Sequence, residues 1–173
     1  MKLHWQKVFG LLVKFLGNEN KFYQKEKYNH IISCKRDDET ITWMHIDSFF
    51  VTHDVCHYAV ETGLALQNAF YGMLASGTDI NDFELPKAKR TFELSDQAVF
   101  AEQIVNLLTI EYNQGRMNNF VDVLNEVCKG NAMSPASPIV KEKLEQIRHS
   151  FEMLMNQWDL LPEEKSMILV FEK

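Results

Sequence analysis

The sequence predicts an α+β protein that is mainly helical, with a small antiparallel sheet packed on the helices. Two runs rich in strand-forming residues flank a polar DDE stretch and indicate a hairpin over about 28–47. Four later stretches carry apolar residues at helical spacing. The closing run SMILVFEK is short and apolar, which predicts a strand over about 166–172 that returns to the hairpin.

Length and composition favour one domain over residues 1–173, with ordinary globular usage of 46% hydrophobic and 24% charged residues. The formal net charge is −6, and the only dense basic cluster is the KAKR stretch at 87–90, which argues against a nucleic-acid partner. No stretch of 18 apolar residues exists, so no transmembrane span is predicted.

Cysteine usage indicates a reducing, cytoplasmic compartment. Cys34, Cys56 and Cys128 are widely spaced and odd in number, and no C-x-x-C occurs. This pattern disfavours both a disulfide framework and a cysteine zinc site. The simplest interpretation is that the three thiols are small buried hydrophobes.

The first 17 residues form an amphipathic segment, since five apolar residues share one face at helical spacing: Trp5, Val8, Phe9, Leu12 and Leu16. A helix packed on the domain is favoured, and a helix on a membrane surface is the alternative. Lys14 interrupts the apolar run and no cleavage site follows, which argues against a signal peptide.

The hairpin is predicted from YNHIISCKR and TITWMHID. In the second strand, Ile41 and Trp43 lie on one side, and Thr42 and Ile46 lie on the other. The alternation does not decide which side faces the core.

The next pattern predicts a helix over about 51–76 that ends at Gly77. A long connection follows over 78–94; loops of this length are often functional or contain a short element. Ser95 is a suitable N-cap for a helix over 96–113.

Two more helices are predicted, over about 118–129 and 138–158, the second capped by Ser137 with Pro138 at its first position. The last helix carries an apolar stripe: Val140, Leu144, Ile147, Phe151, Leu154 and Trp158. Core packing is the favoured use of this stripe. Its period near 3.5 is also compatible with the seam of a homodimer.

The candidate functional residues are concentrated in the segment THDVCHYAVET. A helix over this segment places four of them on one stripe: His53, Asp54, His57 and Glu61. Residues four apart lie about 6 Å apart along the axis, so two such imidazoles can bind one cation. Glu61 is about 12 Å from His53 along the axis, which is too far for one straight helix to supply all three ligands. A further ligand from another element is therefore expected.

Glu111 is the predicted source of that ligand. It falls at the centre of the apolar face of the helix over 96–113. A carboxylate there needs a partner or a metal ion. If that helix and the helix over 51–76 are antiparallel neighbours with matching ends, Glu111 lies level with about residue 60.

The first functional hypothesis is a divalent metal site of two histidines plus carboxylate, held by His53 and His57 with Glu61 or Glu111. Zinc is favoured, with iron or manganese left open. Asp54 or Glu61 would act as the base or orient a histidine, in a hydrolase that acts on a small-molecule substrate. The alternative is a non-catalytic interaction or structural module with a hydrogen-bonded His/Glu cluster. A solvated polar stripe is the third interpretation.

Three segments, FVTHDVCHYAVET, AFYGMLASGTDINDF and WDLLPEEKSMILVFE, are similar to a family of small, mostly uncharacterised bacterial proteins. Those proteins have a hairpin, an H-D-x-x-H-[YF]-x-V-E helix and a terminal strand. The resemblance covers roughly 28–173 and implies the fold and the position of the site, but no activity. The H-D-x-x-H segment also resembles the zinc-binding motif of the helical ubiquinone-biosynthesis proteins. Their glutamate twelve residues after the second histidine is Ala69 here.

Overall fold

The computed structural model of the chain describes residues 30–130, 139–162 and 166–172. The predicted amphipathic segment 1–17 and the Ser137–Pro138 cap lie outside these ranges. Within them, the structure confirms a mainly helical α+β arrangement with a small antiparallel sheet. No helix in the described ranges combines the length and apolar character needed to cross a bilayer.

The hairpin consists of β1 (His30–Lys35) and β2 (Ile41–Ile46), which pair antiparallel with Ile32 opposite Met44 and Cys34 opposite Thr42. These residues face the core, whereas Ile41 and Trp43 are more than half exposed, at 57% and 52%. The alternating pattern of β2 did not predict which of its two faces is buried. The helices that cover one face of the hairpin determine this.

Helix α1 (Ser48–Gly63) begins directly after β2, and the carboxylate of Asp47 accepts a hydrogen bond from the backbone N–H of Phe50 as its N-cap. The chain then turns through Ala65, whose φ of 53° lies in the left-handed region, before α2 (Phe70–Ala75). The prediction of one continuous helix over 51–76 is therefore wrong. Val55 and Ala59 are buried on α1, whereas Leu66 is buried in the connection between the two helices.

The connection at 78–94 contains two short 3-10 helices, Ile80–Glu84 and Lys87–Lys89, so the alternative of a hidden short element is confirmed. Thr42 ties this segment to β2, since its hydroxyl donates to Asp79 at 3.1 Å and accepts from the N–H of Ile80 at 2.9 Å. The segment therefore lies against the hairpin.

Helix α3 (Asp96–Gln114) starts as predicted, with the Ser95 hydroxyl accepting a hydrogen bond from the N–H of Ala98. Helices α4 (Phe120–Gly130) and α5 (Lys141–Asp159) complete the helical layer. Helix α1 packs on both α3 and α5, so it lies at the centre of the helical layer. The core-packing interpretation of the α5 stripe is confirmed by four buried residues: Leu144, Ile147, Phe151 and Trp158. The homodimer stays a prediction.

The C-terminal segment 166–172 is not a strand, because the sheet in the described residues contains only β1 and β2. Its side chains nevertheless alternate, with Leu169 and Phe171 buried and Val170 exposed. The carbonyl of Val170 accepts a hydrogen bond from the Tyr58 hydroxyl at 2.7 Å, so a side chain of α1 takes a bond that a neighbouring strand would have made.

Candidate functional site

Helix α1 carries two histidines one turn apart. The rings of His53 and His57 lie 4.7 Å apart, centroid to centroid, with their planes at 61°. His57 is buried, with only 4% of its surface exposed, and His53 is partly buried. The i, i+4 spacing therefore brings the two imidazoles together, as the sequence predicted.

Helix α3 supplies the carboxylate that meets both rings, and that carboxylate is Glu102. Its Oε2 lies 3.1 Å from Nε2 of His57, and its Oε1 lies 3.5 Å from Nε2 of His53. One ligand atom from each of these three residues can be chosen so that all lie within 4.8 Å of one another. Among the described residues, this cluster of His53, His57 and Glu102 is a group that could hold a metal ion.

The other nitrogen of each ring faces a second carboxylate. Nδ1 of His57 lies 3.1 Å from Oε1 of Glu61, and Nδ1 of His53 lies 3.4 Å from Oδ1 of Asp54. If an ion were bound, a proton on each Nδ1 would leave both Nε2 lone pairs free to bind it on the side of Glu102. Such a carboxylate behind the imidazole is the usual arrangement for metal-binding histidines.

Glu61 is held in place by the break between α1 and α2. Its Oε2 accepts a hydrogen bond of 2.9 Å from the backbone N–H of Tyr71 at the start of α2, and the residue has no exposed surface. The Tyr71 hydroxyl donates to the backbone carbonyl of Asp54 at 3.0 Å. A continuous helix over 51–76 would have removed this support, because Tyr71 would then lie three turns along the axis.

The carboxylates shape the charge of the cluster. Burial lowers the pKa of His57, but the hydrogen bonds to Glu102 and Glu61 outweigh it and raise the pKa to about 9. The hydrogen bonds from His53 and His57 in turn hold the pKa of Glu102 well below its usual value. Burial raises the pKa of Glu61. When no metal ion is bound, these carboxyl groups therefore favour the protonated, imidazolium form of His57.

Glu111 is buried, as predicted, but it does not join the histidines. Arg148 of α5 contacts both of its carboxylate oxygens, with its Nε 2.8 Å from Oε2. The backbone N–H of Met117 donates to the same carboxylate at 2.8 Å. The need for a partner on an apolar face is confirmed, and the partner is a guanidinium.

The axial offset between the helices explains why Glu102 stands where Glu111 was expected. The expected position of Glu111 depends on residues 51–76 forming one straight helix whose C-terminal end lies beside Ser95. In the structure Ser95 donates a hydrogen bond to the carbonyl of Asn68, and the end of α1 lies earlier in the chain. Glu102 lies at the edge of the buried face of α3, four residues after the buried Ala98. This spacing is the one feature of the sequence that indicates that Glu102 lies near the core, and it is weaker than the central position of Glu111.

A cavity of about 650 Å³ opens beside the cluster. His53, Asp54, His57 and Glu102 contribute to one part of its wall. Glu61 does not line it. Most of the remaining wall is apolar: Met44, Ile46, Phe50, Phe70, Ile80, Phe83, Leu94, Ala98 and Val99. A volume of this size and an apolar wall with a few polar groups are typical of small-molecule sites.

The geometry therefore defines a His/His/Glu cluster on the wall of an apolar cavity. The carboxylates of Asp54 and Glu61 lie behind the histidines. The resemblance to the small bacterial family stays a prediction. No protein-family model, curated protein or solved structure matches this chain.

Proposed function

We propose that this protein binds one divalent transition-metal ion through His53, His57 and Glu102 and is a metal-dependent hydrolase of a small molecule. The observation that supports the proposal is that Glu102 meets Nε2 of both histidines beside a cavity, and that one ligand atom from each of the three residues lies within 4.8 Å of the other two. Imidazole and carboxylate ligands favour zinc among the common metals.

Within the ranges 30–130, 139–162 and 166–172, three residues converge, and this number supports a catalytic site in preference to a structural one. Structural zinc sites usually have four protein ligands, whereas catalytic sites use three and leave a position for water or substrate. A zinc ion in such a site supplies a bound water that loses its proton near neutral pH. The cavity gives a substrate a path to that position.

Asp54 and Glu61 have different roles in this proposal. Asp54 contacts Nδ1 of His53 and, unlike Glu61, also lines the cavity, so of these two carboxylates Asp54 is the one that can meet a water molecule there and accept its proton. Glu61 has no exposed surface and contacts His57 from behind, so it orients that imidazole. The proposed base is therefore Asp54 alone.

A second candidate function rests on a different feature of the same cluster. Both nitrogens of His57 already lie 3.1 Å from a carboxylate oxygen, so the imidazolium is fully hydrogen-bonded without a metal. In that case the cluster joins α1 to α3 in a non-catalytic interaction or structural module.

Metal analysis of the purified protein separates the two candidates. The wild-type chain, His57→Ala and Glu102→Gln are each measured for bound metal after growth with zinc, with the exposed His149→Ala as matched control. The metal site requires about one equivalent in wild type and in His149→Ala, with loss in the other two variants. A wild-type protein that neither carries zinc nor takes it up on titration contradicts the proposal. If His57→Ala then also lowers the melting temperature, the hydrogen-bonded cluster is supported.

A further inference from the structure

The cavity beside the cluster contains one cationic group whose charge is not matched. Arg90, which lies between the second 3-10 helix and α3, is half-buried and lines the cavity. Its Nε donates to the carbonyl of Leu85 at 2.8 Å, and one Nη donates to the carbonyl of Phe83 at 3.0 Å. Both partners are neutral, so these bonds hold the guanidinium in place without neutralising it.

Within the described ranges, no carboxylate lies within ion-pair distance of Arg90. A guanidinium has five N–H donors, and two are used by the loop carbonyls, which leaves three. Glu84 also contributes to the cavity wall, but it is exposed and does not pair with Arg90. A partly desolvated cation in a largely apolar wall is stabilised by an anion that enters the cavity.

The apolar part of the wall indicates what the rest of the ligand looks like. Phe83 and Phe70 pack edge to face, with ring centroids 4.9 Å apart, and Phe92 lies behind Phe83 at 4.7 Å. Phe92 does not line the cavity, so it contacts Phe83 from outside the cavity wall. The aromatic part of the wall offers no polar partner of its own to a molecule in the cavity.

We infer that the cavity binds an apolar molecule that carries one anionic group, with the anion on the guanidinium of Arg90 and the apolar body along Phe70 and Phe83. A medium-length fatty acid is the simplest ligand with these two features. A substrate of the proposed hydrolase would carry a hydrolysable bond in addition, so this part of the inference rests on the proposed function, whereas binding itself needs no metal.

Octanoate is the probe, titrated by calorimetry into the full chain in the presence of a chelator. Octanol and acetate are the matched probes that lack the charge and the apolar body. Octanoate is expected to bind roughly tenfold or more tightly than octanol, since one charge-assisted contact is worth about that factor. Acetate is expected to show no saturable binding. Equal affinity for octanoate and octanol, or no binding of either, overturns the inference.

Two variants assign the effect to Arg90. Arg90→Gln is expected to weaken octanoate roughly tenfold and to leave octanol unchanged. Lys87→Gln removes the same charge from the same segment outside the cavity wall and is expected to change neither. An equal effect of the two variants on octanoate contradicts the inference. If Arg90→Gln also weakens octanol binding, the substitution has altered the cavity wall. The variant Arg90→Lys, which keeps the charge, then tests the inference, and it must still bind octanoate more tightly than octanol.

The chelator keeps this test separate from the metal proposal. Octanoate binding in a protein that takes up no zinc supports the substrate class and contradicts the metal-dependent hydrolase. Zinc uptake without octanoate binding supports the metal site and contradicts the inference about the ligand. Val99→Trp, which fills part of the cavity, is expected to abolish binding of octanoate and octanol alike, and unaltered binding in this variant shows that the ligand lies elsewhere.

Discussion

The carboxylate of Glu102 lies 3.1 Å from Nε2 of His57, across the interface between α3 and α1. The other oxygen of Glu102 lies 3.5 Å from Nε2 of His53, so one residue of α3 contacts both histidines of α1. Without a metal ion this carboxylate pairs with two imidazoles, and in the proposed metal site it would bind the ion together with them.

Glu102→Gln is expected to reduce zinc affinity by roughly a hundredfold or more, because a neutral amide replaces the charged ligand. Chelator-competition titration measures the change. Glu126→Gln removes an exposed glutamate that pairs with Lys129 and is expected to leave zinc affinity unaltered. Equal zinc affinity in wild type and Glu102→Gln would show that this carboxylate is not a ligand.

Glu61→Gln is expected to lower zinc affinity by about 10–100-fold although the residue touches no metal in the proposal. The amide oxygen of the new side chain can accept the N–H of Tyr71, which leaves its NH₂ group facing Nδ1 of His57. The imidazole must then carry its proton on Nε2, where the metal would bind. A purely structural role predicts a lower melting temperature with unaltered zinc affinity, and calorimetric titration together with thermal unfolding distinguishes the two outcomes.

Zinc affinity is expected to rise with pH over a wider range than an ordinary histidine site shows. The pKa of His57 in the metal-free protein is raised from 6.5 to about 9, so below that pH the ion must displace a proton. The affinity should therefore increase by up to about tenfold per pH unit as pH rises towards 9. Competition with a chelator of known proton affinity, from pH 6 to 8.5, measures the slope. An affinity that is flat above pH 7 contradicts the raised pKa.

Arg148→Met is expected to destabilise the protein by about 3–5 kcal/mol, because it leaves the carboxylate of Glu111 buried without its cation. The double variant Glu111→Leu with Arg148→Met should recover most of that loss, since it removes both charges. Denaturant unfolding measures both. Arg116→Met, which breaks exposed pairs with Glu145 and Glu152, serves as the control and should cost no more than about 1 kcal/mol. Zinc affinity should be unchanged in all of these variants.

Glu111 and Glu102 differ in how much of their environment can be predicted from the sequence. A carboxylate on an apolar helix face must be paired, and the periodicity of α3 is enough to predict this for Glu111. The identity of the partner depends on which helix packs against that face, and α5 supplies Arg148. For the same reason Glu102 was missed, because its position on the flank of the face carries no comparable signal.

Local features of this protein can be predicted from its amino-acid sequence. The hairpin, the Ser95 cap of α3 and the convergence of His53 with His57 all follow from neighbours a few residues apart, whose geometry is set by strand and helix repeats. Helix packing, in contrast, is needed to explain why α1 ends at Gly63, why Tyr71 supports Glu61 and why Glu102 completes the cluster. Periodicity orients each face of a helix, whereas loop lengths and core packing set how far one helix is shifted along another, and that shift selects the residues that meet.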